Sequence, residues 1–177
     1  MTHSLRRALF LDRDGVINIE KDYLYRVEDF EFIDGIFALC KYYQEQGYLI
    51  FVVTNQSGIA REYYSQEQFE TLTDWMIKKF KHESIEIKKV YYCPHHPDIS
   101  GNCTCRKPHA GMILDAAYEF HLDLKNSVLV GDKERDIEAA LNAGIFETYL
   151  FDETKSVTSS KATRIVSKLD DIWKDRC

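Results

Sequence analysis

The sequence has no run of about 18 apolar residues, the length a membrane-crossing helix requires. It also lacks a leader pattern. The opening apolar stretch, Ala8-Leu9-Phe10-Leu11, is short and runs straight into Asp12-Arg13-Asp14. A cytoplasmic protein with no membrane partner is the expectation. There is no excess of positive charge: Lys and Arg total 23 against 29 Asp and Glu, a formal net charge of −6. Non-specific nucleic-acid binding needs cations to displace counterions, so nucleic acid is not an expected partner. A phosphorylated small molecule stays possible, because a few local cations suffice for it. Nor is there an even cysteine framework. The five cysteines, Cys40, Cys93, Cys103, Cys105 and Cys177, are odd in number, which disfavours paired disulfides. Internal repeats and low-complexity tracts are absent.

What is present is one chain of 177 residues with 45% hydrophobic content, enough for a single domain over 1–177, expected as a monomer. Apolar runs alternate with amphipathic stretches. Ala8–Leu11, Tyr48–Val53, a segment ending at Val90–Tyr92, Ser127–Val130 and Glu147–Phe151 read as buried strands. Helical spacing covers Ile36–Gln46, Ser65–Lys81, Gly111–His121 and Glu134–Asn142. Ser65 and Gln68 form a capping-box pair at the start of the second helix. A short edge strand is expected at Thr163–Ser167 and a closing helix at Leu169–Lys174. This alternation predicts an α/β fold: a three-layer, Rossmann-like parallel sheet with helices on both faces. Ligands in such sheets sit beyond the carboxyl ends of the strands, so residues just after each strand belong together.

Those residues carry chemistry. Asp12 and Asp14 follow the first strand, and Asp132 follows the fourth. Carboxylates converging there would repel one another unless a cation sat among them, and an all-oxygen set favours Mg²⁺. Thr54, Asn55 and Ser57 follow the second strand and offer hydroxyl, amide and backbone donors to a phosphate. Lys107 brings a positive charge from a separate loop. Each is unremarkable alone as a polar turn or a solvated cation; their coincidence at successive strand ends is what points to phosphoryl chemistry.

Four motifs stand in order: Asp12-Arg13-Asp14-Gly15-Val16-Ile17-Asn18, Val53-Thr54-Asn55-Gln56-Ser57-Gly58, Lys107-Pro108, and Gly131-Asp132-Lys133 with Asp136. Together they resemble the haloacid-dehalogenase-type (HAD-like) phosphatases over roughly Leu9 to Phe151. The resemblance implies Asp12 as nucleophile and Asp14 as acid and base. It implies Mg²⁺ held by Asp12, Asp132 and the backbone carbonyl of Asp14. Thr54 and Lys107 would hold the phosphoryl oxygens. Asp136 is expected to orient Lys133 or Lys107, and Arg13 to pair with a carboxylate.

A second cluster, Cys93, His95, Cys103 and Cys105, has the composition of a structural Zn²⁺ site in a loop of about 93–108. Spacing leaves His95 and His96 undecided. The loop ends at Arg106-Lys107, so a metal there would position the lysine. CPHHP, CxCRKP and the Gly111-Met112 pair narrow the resemblance to the zinc-loop phosphatases that act on heptose bisphosphate or on histidinol phosphate, the former matching at greater length. In that subgroup Arg106 recognises a sugar phosphate. Glu20, Lys21, Asp22, Tyr23 and Lys133 line its sugar site, and Asn55, Gln56 and Ser57 are assigned to substrate as well. The chain departs from the subgroup at Glu62, where Gly is usual, and at Ala110, where Pro is usual. A non-catalytic zinc-stabilised binding module is the other alternative. The chain between motifs is too short for a large cap domain, so an open site walled by Glu20–Phe32 and the zinc loop is expected.

Overall fold

The computed structural model describes residues 5–174; Cys177 lies outside them. Six strands form one sheet: β1 (Ala8–Leu11), β2 (Leu49–Asn55), β3 (Ile87–Cys93), β4 (Val128–Gly131), β5 (Glu147–Phe151) and β6 (Arg164–Val166). Every pairing is parallel, and the spatial order is β3-β2-β1-β4-β5-β6. The order reverses between β1 and β4, which opens a crevice at their carboxyl ends.

The period-two alternation of a strand divides the core between two faces. Leu9, Leu11, Ile50 and Val52 pack on one side with α1 (Ile36–Glu45) and α2 (Gln66–His82). Ala8, Phe10, Phe51 and Val53 pack on the other with α4 (Gly111–Phe120) and α5 (Glu134–Ala143). The central strand β1 is buried along its whole length, as a strand covered on both faces requires. The capping box is formed: the Ser65 hydroxyl accepts from the Gln68 N–H at 3.1 Å, and Gln68 Oε1 accepts from the Ser65 N–H at 2.8 Å. At the end of α5, Gly144 adopts φ +91° and supplies the left-handed stop.

Three elements differ from the sequence reading. β3 begins at Ile87, earlier than its apolar tail suggests, because it is an edge strand that can carry Lys88 and Lys89. The closing helix is a single 3₁₀ turn, Leu169–Ile172, whose apolar ends Leu169 and Ile172 are buried against the sheet. A one-turn helix, α3 (Pro97–Ser100), lies inside the cysteine loop and begins with Pro97 in the first turn, where a missing N–H costs nothing. No helix among the described residues is long and apolar enough to cross a membrane.

Candidate active site

The switch point fixes the first two carboxylates. Asp12 leaves β1 with its N–H donating to the Val130 carbonyl of β4 at 3.0 Å. Asp132 follows β4 on the neighbouring strand. Gly15 takes φ +87°, and a Cβ there would stand 2.3 Å from Asp132 Oδ2, so only glycine lets the first loop turn against the second carboxylate. A Cβ on Gly131 would likewise meet Asp136 Cβ at 2.3 Å.

Lys107 enters from the cysteine loop and is 2% exposed. Its Nζ lies 2.9 Å from Asp12 Oδ1 and 2.7 Å from Asp136 Oδ1, and donates to the Val53 carbonyl at 2.8 Å. Asn55 clamps the lysine backbone from both sides: its Oδ1 accepts from the Lys107 N–H at 3.0 Å, and its Nδ2 donates to the Lys107 carbonyl at 3.2 Å. Asp136 therefore orients Lys107 by its side chain, while its Oδ2 accepts from the Lys133 N–H at 3.0 Å.

Burial pushes the Asp12 carboxyl well above the usual range, and the Asp136, Asp132 and Asp14 charges add to the rise against the pull of Lys107. Asp132 is raised for the same leading reasons, burial and Asp136. Burial disfavours the Lys107 ammonium, yet Asp12 and Asp136 overcome that and hold its pKa above the ordinary lysine value. Oxygens of Asp12, Asp132 and Asp136 lie within 4.8 Å of one another, and Asp132 Oδ1 is buried without a hydrogen-bond partner. A buried, mutually repelling carboxylate set with an orphaned oxygen fits a divalent cation such as Mg²⁺.

Asp14 is held by three side chains. Arg13, 1% exposed, donates from Nη2 to both carboxylate oxygens at 3.0 Å and from Nε at 3.2 Å. Asn18 Nδ2 donates to Oδ1 at 3.1 Å and Gln56 Nε2 to Oδ2 at 2.9 Å. Gln56 Nε2 also donates to the Thr54 hydroxyl at 2.8 Å.

A cavity of about 240 Å³ opens above this floor. Asp12, Asp14, Asn55, Gln56 and Ser57 line its base; Glu20, Asp22, Tyr23, Arg61, Tyr64, His96, Arg106 and Arg135 form its walls. Thr54 and Lys107 lie buried beneath it. Two expected wall residues turn elsewhere. Lys21 donates to the Asp29 carbonyl and pairs with Glu31, which draws it away. Lys133 pairs with Asp132 at 3.1 Å and lines a neighbouring groove. Gln56 lines the cavity, but both ends of its amide are engaged by protein groups and it is 2% exposed. Tyr64, which with Tyr63 reads from sequence equally as a substrate contact or a surface-loop residue, lines the cavity; Arg61 and Arg135 are not among the expected site residues. Arg61 lies in the Ser57-Gly58-Ile59-Ala60-Arg61 run, whereas nothing in the sequence marks Arg135 in the first turn of α5.

The cysteine loop brings Cys93, His95, Cys103 and Cys105 together. Sulfur–sulfur distances are 3.6 Å for Cys93–Cys103 and 3.1 Å for Cys93–Cys105; His95 Nδ1 lies 3.5 Å from Cys93 and 3.3 Å from Cys105. The edge of a tetrahedron with Zn–S of 2.3 Å is about 3.8 Å, so the cage has the composition and nearly the size for Zn²⁺. His96 is not in it: its Nε2 lies 2.8 Å from Arg61 Nη2 and its Nδ1 lies 3.3 Å from the Asp98 nitrogen. The loop is seated on α4, where a Cβ on Gly111 would stand 2.3 Å from the Thr104 carbonyl. Arg106 Nη1 donates to the His95 carbonyl at 3.2 Å, tying the cage to the cavity wall.

A family described as HAD-hydrolase-like matches residues 104–171. The chain is 55% identical to the D-glycero-alpha-D-manno-heptose-1,7-bisphosphate 7-phosphatase of Campylobacter jejuni over 84% of each chain. It is 43% identical to the D-glycero-beta-D-manno-heptose-1,7-bisphosphate 7-phosphatase of Escherichia coli K12, covering 85% of this chain and 82% of that one. The solved D,D-heptose 1,7-bisphosphate phosphatase of B. bronchiseptica, complexed with magnesium and phosphate, superposes with a TM-score of 0.81 at 28% identity, over 92% of this chain and 93% of that one.

Proposed function

The chain belongs to the HAD-like phosphatases, in the family of the heptose-1,7-bisphosphate 7-phosphatases, and from that premise we propose that it removes the 7-phosphate of D-glycero-D-manno-heptose 1,7-bisphosphate through an aspartyl phosphate on Asp12. The observation that carries the reading is the meeting of Asp12, Lys107 and Asp136 in one buried ion cluster at the floor of the cavity.

Lys107 and the Arg13 N–H both engage Asp12 Oδ1, which leaves Oδ2 to attack phosphorus. As the Oδ2–P bond forms, the P–O bond to the sugar breaks, and Asp14 gives its proton to the departing alkoxide. Water then attacks the aspartyl phosphate. Asp14 takes the water's proton, phosphate leaves, and the Asp12 carboxylate is restored. Thr54 and Lys107 sit beneath the transferring group and stabilise its charge. Asp12, Asp132 and the Asp14 carbonyl would hold Mg²⁺, which supplies charge neutralisation for the phosphoryl oxygens. Cys93, His95, Cys103 and Cys105 would hold Zn²⁺ with no open position, a structural ion that fixes Arg106 and Lys107.

The sugar lies in the cavity between Glu20, Asp22 and Tyr23 on one wall and Arg106 on the other, with Asn55 and Ser57 below. A bisphosphate leaves its second phosphate remote from Asp12, and Arg61, Arg106 and Arg135 supply the cations for it. Histidinol phosphate has no second phosphate to use them, which favours the heptose substrate, as do the relatives' names. A precursor role in lipopolysaccharide-core or surface-glycan synthesis, a cytoplasmic site and a monomeric state complete the reading.

Phosphate release from both anomers of the heptose bisphosphate and from histidinol phosphate tests it. The heptose bisphosphate is expected to give the highest kcat/KM, and Asp12→Asn to reduce turnover by at least about 10³-fold. Faster release from histidinol phosphate, or an active Asp12→Asn enzyme, would reject it.

A further inference from the structure

The Tyr64 hydroxyl donates to Gln56 Oε1 at 2.5 Å. Tyr64 is 4% exposed, and its ring leaves no room for a side chain at Gly58, where a Cβ would stand 2.2 Å from Cε1. The ring also stacks on Tyr25 with centroids 5.6 Å apart, so the ring is packed between Tyr25 and Gly58. The amide it touches has two ends of opposite character. Oε1 accepts from Tyr64 at 2.5 Å and, at the longer distance of 3.4 Å, from Arg13 Nη2, and Nε2 then points to Asp14 Oδ2 at 2.9 Å and the Thr54 hydroxyl at 2.8 Å. A flipped amide would set an oxygen against the Asp14 carboxylate.

We infer that Tyr64 is a positioning residue: through Gln56 it fixes the orientation of Asp14 and so its delivery of a proton to the leaving alcohol. The inference rests on the proposed acid role of Asp14. Burial keeps the Tyr64 hydroxyl protonated, pushing it up to about 12, so it stays a donor throughout the working range. The Arg13 fork holds Asp14 in its plane from one side. Gln56 reaches it from the second motif, and this coupling ties the acid to the phosphoryl-binding hydroxyl of Thr54. Residues from two separate loops thereby share one hydrogen-bond chain.

The test uses the leaving group. kcat/KM reports events up to release of the first product, which is the step where Asp14 donates its proton. A sugar alkoxide needs that proton; the phenolate leaving from p-nitrophenyl phosphate does not. Tyr64→Phe removes only the hydroxyl. Its ratio of kcat/KM for heptose bisphosphate over p-nitrophenyl phosphate is expected to fall about tenfold. Gln56→Glu, which places an oxygen opposite Asp14, is expected to lower the ratio further. An unchanged ratio in Tyr64→Phe, whether both activities fall together or neither falls, would overturn the inference. Asp14→Asn measured beside it separates the two levels. If its ratio also stays constant, the acid assignment itself fails; if its ratio collapses while that of Tyr64→Phe holds, only the role of Tyr64 is lost.

Discussion

Lys107 reaches Asp12 at 2.9 Å although the two come from opposite ends of the structural logic, one from a strand end and one from a cysteine-bound loop. Removing the lysine leaves Asp12 and Asp136 facing each other in a buried site. Breaking one side of a buried pair costs roughly 3–5 kcal/mol, because the remaining charge has no compensation. Lys107→Met is therefore expected to lower unfolding stability by about that amount and to abolish turnover. Denaturant unfolding of the zinc-loaded, Mg²⁺-free protein checks it. A stability change below about 1 kcal/mol would show that the carboxylates do not depend on the lysine.

Metal binding should compete with protons in this cluster. Asp12 and Asp132 are both raised by burial and by the Asp136 charge. A raised native pKa means the metal-free folded state holds protons that the unfolded chain has already released. Stability conferred by those protons is present below the unfolded carboxyl pKa and is lost as pH rises through the raised native values. A divalent cation replaces the protons. The gain in Tm on adding Mg²⁺ is thus expected to be small near about pH 5 and larger near about pH 8. A gain that shrinks as pH rises would contradict the cluster electrostatics.

The main outlines were legible in the sequence for identifiable reasons. Buried parallel strands have continuous apolar runs, and a parallel sheet puts the residues after them on one edge, so the strand pattern itself brings Asp12, Thr54 and Asp132 together. Lys107 was visible only through its motif, since the long loop before it says nothing of where it lands. Choices between neighbours were not legible. His95 and His96 have the same chemistry, and only the backbone path aims one at the thiols and the other at Arg61. Lys21 and Glu20 are adjacent, yet Glu20 faces the cavity and Lys21 pairs with Glu31. Gln56 reads as a phosphate-loop donor, and its commitment to Asp14, Thr54 and Tyr64 appears only when the two loops are folded together.

The cysteine cage is expected to hold about one Zn²⁺ per chain. Cys105→Ser removes a ligand whose neighbour in sequence, Arg106, is anchored to the His95 carbonyl. Loss of the ion should loosen both Arg106 and Lys107, lowering Tm by about 10 °C and reducing activity with it. Elemental analysis and thermal unfolding of wild type and variant check this. Wild-type protein free of zinc yet fully active would remove the link between cage and lysine.

Arg61 is expected to contribute to the discrimination between one phosphate and two. Its Nη2 is engaged by His96 at 2.8 Å, but its Nε is buried without a partner and the side chain lines the cavity. An unpaired buried donor on a cation is costly until an anion meets it, so a remote phosphate gains more there than at an exposed arginine. Hydrogen bonds to charged groups contribute about 1.5–3 kcal/mol, which corresponds to roughly 10–150-fold in affinity. Arg61→Met should therefore raise KM for heptose bisphosphate by that order, with little change in kcat and little change in kcat/KM for a sugar monophosphate. Parallel steady-state kinetics on the two substrates decide the matter. A loss of equal size on both would place the effect of Arg61 at the reacting phosphate, through the Ser57 loop to which its backbone N–H is bonded at 3.1 Å, and not at the distant one.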